Sequence, residues 1–136
     1  MPSPGFDAAA LVTVEETIDA FTVGLAQHPS GEGGDLMLQC ALTPPDDQDA
    51  ATGMDTYCLM DEKGAVHYGG IQRAELTDTT LRFRFDQDAA DELGIQNPER
   101  ELALTIPPGD TTGLRDGLRR VLTYGNPDRH PELAGI

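Results

Sequence analysis

The amino-acid sequence predicts an α+β fold dominated by strands: an antiparallel, meander-like sheet of about seven strands, with a short helix and a C-terminal amphipathic helix packed on one face. Three observations predict it. Short segments such as Phe21-x-Val23-x-Leu25 and Leu36-x-Leu38-x-Cys40-x-Leu42 alternate apolar with polar or small residues, the period of a half-buried strand. Glycines and prolines cut the chain into short pieces. One late segment instead places Leu114, Leu118, Val121 and Leu122 at helical spacing.

Residues 1–8 carry prolines and a glycine and are expected to form a flexible arm. Leu11 to Glu16 and Ala20 to Ala26 predict two strands, and the glycine-rich run from His28 to Gly34 predicts a loop. Asp35 to Leu42 predicts a third strand. Thr43 to Asp49 is expected to be an exposed acidic loop, because Pro44 and Pro45 lack the donors a sheet needs. Thr56 to Met60 and Ala65 to Gly69 predict hairpin arms, with Gly64 supplying the positive φ of the connection.

Gly69-Gly70 predicts a bulge or bend before a strand at Ile71 to Leu76. Its hairpin partner is Leu81 to Phe85. That pairing sets Leu76 opposite Leu81, Ala74 opposite Phe83, and Glu75 opposite Arg82 as a favourable charge pair. Asp86 to Leu93 predicts a short helix with acids in its first turn and Gly94 as its stop. Glu101 to Ile106 predicts another strand, and Thr112 to Tyr124 the C-terminal helix, ended by Gly125 and Pro127. At 136 residues the chain is expected to form a single domain, 1–136.

Charge is distributed unevenly. Residues 1–62 hold twelve acids and no lysine or arginine, whereas residues 63–136 hold twelve acids and all nine bases, so the halves carry −12 and −3 of the net −15. Such a field repels nucleic acid and anionic membranes and attracts basic protein surfaces. Solubility or adaptation to high salt is the competing explanation of the same acidity. No apolar run approaches the roughly 18 residues of a membrane span. The N-terminus lacks the basic and apolar stretches of a secretory signal, so a cytoplasmic protein is expected.

Little in the chain points to catalysis or to a cofactor. Cys40 falls in a strand alternation as a small core residue. His28, His67 and His130 have no zinc-type spacing with the two cysteines, and Asp46-Asp47-x-Asp49 lacks the glycine and terminal glutamate of a calcium loop, so no metal is expected. If Met60 pairs with Ala65, then Cys58 faces His67, the minimal arrangement of a thiolate nucleophile. No third group orients that imidazole, and acidic surroundings raise a thiol pKa rather than lower it.

The block Gly53-Met54-Asp55-Thr56-Tyr57-Cys58, the run His67-Tyr68-Gly69-Gly70-Ile71, and the ending Leu118-Arg119-Arg120-Val121-Leu122-Thr123-Tyr124-Gly125-x-Pro127 together resemble the immunity protein 10 family, from about Phe21 to Leu133. The resemblance implies a cytosolic, non-enzymatic protein, encoded beside bacterial polymorphic toxins, that binds and neutralises a cognate toxin domain through a mostly β fold. It brings no catalytic residues with it. Combined with the charge pattern, it makes a basic toxin domain the expected partner and Asp46, Asp47, Asp49 and Asp55 the candidate contacts, with neither nucleic acid nor membrane as a ligand. A small ligand-binding or regulatory domain, acidic for solubility alone, is the alternative.

Overall fold

A computed structural model describes residues 8–27, 35–61, 64–94, 98–107 and 109–136. The expected loop from His28 to Gly34 and the expected arm, apart from Ala8, lie outside these residues. Among the described residues ten strands form two five-stranded sheets in place of one meander. The first, here the meander sheet, is antiparallel throughout and contains β2 (Leu11–Glu16), β3 (Ala20–Ala26), β4 (Asp35–Ala41), β5 (Cys58–Asp61) and β6 (Val66–Tyr68) in that order.

The second is a mixed sheet. Its antiparallel centre is β7 (Ile71–Leu76), β8 (Thr80–Phe85) and β9 (Glu99–Leu104). Two short parallel strands flank it, β1 (Ala8–Ala9) beside β9 and β10 (Glu132–Ala134) beside β7.

The Gly69-Gly70 bend is where the chain passes from one sheet to the other. Both residues have positive φ, +74 and +100°, which a side chain would resist. A Cβ on Gly70 would also stand 2.5 Å from the Ala89 methyl carbon, so helix α2 (Gln87–Leu93) can approach only because this position is bare. The expected hairpin register beyond the bend is observed: Leu76 opposes Leu81, Ala74 opposes Phe83 and Glu75 opposes Arg82. Arg82, however, forms its ion pair with Glu101 on the next strand at 2.8 Å.

Helix α3 (Asp110–Leu122) begins and ends two residues before the expected limits. Its apolar stripe lies on β2, β3 and β4, and Leu114, Leu118, Val121 and Leu122 are fully buried. Gly117 lets the helix sit close, since a Cβ there would crowd Val14 and Val23 at 3.1 Å. One cluster of buried side chains draws on both sheets, α2 and α3, including Val23, Leu38, Leu59, Phe83, Leu102 and Leu118. Among the described residues no helix is long and apolar enough to cross a membrane.

Candidate functional site

The acidic segment after Pro44-Pro45 was expected to be a loop, but it forms helix α1 (Asp47–Thr52). The same acids that suggested solvent exposure build its start. Asp46 is the N-cap, and its carboxylate accepts the Asp49 amide at 2.8 Å, while the Asp49 carboxylate accepts the Asp46 amide at 3.0 Å. This reciprocal capping box satisfies two donors that a helix start otherwise leaves open, and the negative charges suit the positive end of the helix dipole. Gly53, at φ +76°, ends the helix. Asp46 and Asp47 are exposed and Asp49 is partly so; among the described residues none of the three pairs with a cation.

Asp55 has a different environment. It is only 13 % exposed, and its carboxylate takes Arg129 Nη1 at 3.2 Å and Asn126 Nδ2 at 3.1 Å. The Arg129 guanidinium also donates to the Gly53 carbonyl and to the Tyr68 carbonyl, each at 2.7 Å. One planar fork therefore ties the turn after α1, the end of β6 and the C-terminal 3-10 turn Pro127–Arg129 together. Gly125 allows the approach: its φ is +78°, and a Cβ there would overlap the Asp55 carbonyl oxygen. A few residues away, Tyr57 is fully buried, and its hydroxyl accepts the Ile71 amide at 2.9 Å. Burial pushes that hydroxyl's pKa well above the ordinary tyrosine range.

Asp46, Asp47 and Asp55 meet at an open groove of about 650 Å³, whose walls also include Leu42, Arg120 and Tyr124. Tyr124 donates its hydroxyl to the Thr43 carbonyl at 2.8 Å, fixing the proline loop against the end of α3. Burial first, and then the nearby Asp49 among other groups, raises the Tyr124 pKa. Asp49 faces an adjoining hollow and does not line the groove itself.

Sequence reasoning did not place Arg120, Tyr124 or Asn126 here, because all three come from a segment some seventy residues away in the chain. Arg120 spans the two halves: it pairs with Glu16 at 2.7 Å and lies 4.2 Å from the centre of the Phe21 ring. Acids of the base-free first half thus receive two arginines from the second, Glu16 from Arg120 and Asp55 from Arg129. The α1 acids receive none.

The pairing of β5 with β6 corrects the Cys58/His67 arrangement. Met60 pairs with Val66, not Ala65, so Leu59 faces His67 and Cys58 faces Tyr68. The connection closes between Asp61 and Ala65, where the Asp61 amide donates to the Ala65 carbonyl at 3.1 Å and the Asp61 carboxylate accepts the Ala65 amide. Gly64 has the expected positive φ. A slip of one residue moves every side chain to the other face, so Cys58 and His67 point away from each other. Burial raises the pKa of both Cys40 and Cys58, opposite to what a nucleophile needs. Among the described residues no cluster of three or more His, Cys, Asp or Glu side chains is arranged to hold a metal.

No curated protein and no solved structure matches the chain. The family model described as Immunity protein 10 matches residues 8–112. The match contains two of the three blocks that carried the resemblance, 53–58 and 67–71, and stops before the third, 118–127. The two matched blocks meet in space where Tyr57 binds Ile71 and where Arg129 joins Gly53, Asp55 and Tyr68. With well over half of its length matched, the chain belongs to the immunity protein 10 family.

Proposed function

We propose that this chain is a non-enzymatic bacterial immunity protein that binds and neutralises a cognate toxin domain in the cytoplasm, and that a basic surface of the toxin meets the acidic helix α1. Family membership supports an immunity role. The observation that carries the finer reading is the charge left over in the folded chain. Glu16, Asp55, Glu75, Glu99, Glu101 and Glu132 each pair with an arginine, whereas Asp46, Asp47 and Asp49 project from one short helix with no cation paired to them among the described residues. A concentrated, uncompensated field of this kind accelerates encounter with a basic partner, and the capping box holds it in place so that little order is lost on binding. Asp55 lines the groove beside these acids and is held in place by Arg129 and Asn126.

The test needs a cognate toxin domain, to be sought in the reading frames beside this gene. Asp46, Asp47 and Asp49 are replaced together by asparagine, which remains a good N-cap and preserves α1. Association should slow by about tenfold at low salt, and the deficit should shrink as salt rises. The matching control, Asp86, Asp88 and Asp91 to asparagine, also alters a helix cap and the same number of charges. Equal slowing by both triples would reduce the effect to net charge; no slowing by the first would remove α1 from the interface.

A further inference from the structure

The outer faces of the two sheets are unlike. On the mixed sheet, exposed charges neutralise one another: Arg73 pairs with Glu75 on its own strand and with Glu132 on β10, and across β8 and β9 Arg82 pairs with Glu101 and Arg84 with Glu99. Such a surface is well solvated as it stands. The five strands of the meander sheet contain no lysine or arginine. On their face away from α3, Met37, Met60 and Val66 form a row across β4, β5 and β6, and Gln39, Cys58 and Tyr68 form the next.

Met37 is 38 % exposed, Val66 41 % and the adjacent Met54 47 %. Met54, Met60, Val66 and Tyr68 line a hollow of about 470 Å³ whose walls also include Asp19 and Asp49. Thr56 lines the same hollow, and its buried hydroxyl has no hydrogen-bond partner among the described residues.

We infer that this face, centred on Met37, Met60 and Val66, closes on the toxin and takes an apolar side chain flanked by lysine or arginine. The inference rests on the immunity reading and names a second part of the same surface: Cys40, Ala41 and Tyr124 wall both this hollow and the groove beside α1. Apolar side chains in the centre with acids around them are the layout of a protein interface, and unbranched methionines can adapt to a partner's shape. The charge pattern selects the occupant. A second copy of this chain would bring two acidic faces without cations together, whereas a basic protein surface is complementary.

The division of labour is testable, because desolvated apolar contacts govern dissociation and peripheral charges govern association. The Met37→Gln/Val66→Thr double variant removes apolar surface without altering charge, at exposed positions where folding tolerates it. Against the same cognate toxin domain, its dissociation rate should rise about tenfold or more, with little dependence on salt. Arg84→Gln, on the outer face of the mixed sheet, should leave that rate unchanged. A double variant that dissociates like the unaltered chain overturns the inference while leaving the immunity reading intact. Failure of the unaltered chain to bind removes both. Self-association of the chain that the double variant abolishes would make a second copy the occupant, against the inference.

Discussion

Replacing Arg129 by alanine should cost this chain substantial stability, because one side chain joins three separate segments. Its guanidinium makes two 2.7 Å hydrogen bonds to main-chain carbonyls and a 3.2 Å contact to Asp55, whose side chain is only 13 % exposed. Hydrogen bonds to a charged group contribute about 1.5–3 kcal/mol each, and removing one partner of a buried ion pair costs about 3–5 kcal/mol. Arg129 itself is 33 % exposed, so entering water replaces part of what is lost. A net cost of about 2–4 kcal/mol follows.

With an unfolding entropy of about 2.1 cal/mol/K per residue, this corresponds to a fall of about 7–14 °C in melting temperature. Differential scanning calorimetry reads it directly. Arg129→Lys should recover only a small part, because a single ammonium cannot reach Gly53, Asp55 and Tyr68 with the geometry of a planar fork. Asp55→Asn should cost less than Arg129→Ala, and the double variant less than the sum of the two, since the charges act on each other. An Arg129→Ala protein melting within a degree or two of the original would mean that the clamp is ornamental and that another contact holds the three segments together.

Leu118→Asp should cost at least about 4 kcal/mol and abolish cooperative unfolding at moderate temperature, because Leu118 is fully buried in the stripe of α3; circular dichroism melts check it, and a stable variant would place the stripe elsewhere. Tyr57→Phe should cost about 1–3 kcal/mol by leaving the buried Ile71 amide without its acceptor. The pH dependence has a fixed sign: folded Tyr57 holds its proton where the unfolded chain releases it, so its contribution is fully present below about pH 10 and declines as pH rises through the alkaline range. Urea titrations at pH 9 and pH 11 should therefore show a smaller difference in Tyr57→Phe than in the original; an equal difference would assign the alkaline loss to other groups.

The parts of the fold that could be read in the sequence are those where burial imposes a period. β3 was bounded correctly by the alternation of Phe21, Val23 and Leu25, and the hairpin of β7 and β8 was registered correctly because apolar residues on both arms face one core. β1 and β10 were not legible. Two or three residues pairing in parallel with a distant strand carry no periodic signal of their own. Helix α1 is hard to read although its signature is in the sequence: Asp46-x-x-Asp49 is the acidic form of the capping box, but the tandem prolines before it point to a loop.

The slip between β5 and β6 has a similar origin. Both arms carry residues acceptable on either face, so the closing pair set the register and hydrophobicity did not. Around the groove, the acids Asp46 and Asp47 are legible in the sequence as charge. Arg120 and Tyr124 are not, because only the folded chain brings them to that groove, and the same holds for Arg129 at Gly53, Asp55 and Tyr68.

The placement of the motif residues separates what builds this protein from what would let it recognise a toxin. Tyr57 and Asp55 are held in the interior by Ile71, Asn126 and Arg129, and Gly69 and Gly70 provide a bend that side chains would obstruct. Changing any of them disturbs packing before it disturbs a surface. The α1 acids are the reverse case: the side chains of Asp46 and Asp49 accept main-chain amides of their own helix start. Met37 likewise projects from a strand whose other face carries the core residues Leu36 and Leu38, and Val66 sits exposed on the edge strand two positions along the same row. These surface positions can therefore be exchanged at small cost in stability, which is the property a scaffold needs if its partner is to be set by exposed side chains. If the proposed immunity reading holds, the motif residues of 53–58 and 69–71 that face inward are ill suited to choosing a toxin, and specificity should move with substitutions on α1 and the outer face of the meander sheet while the Arg129 clamp stays intact.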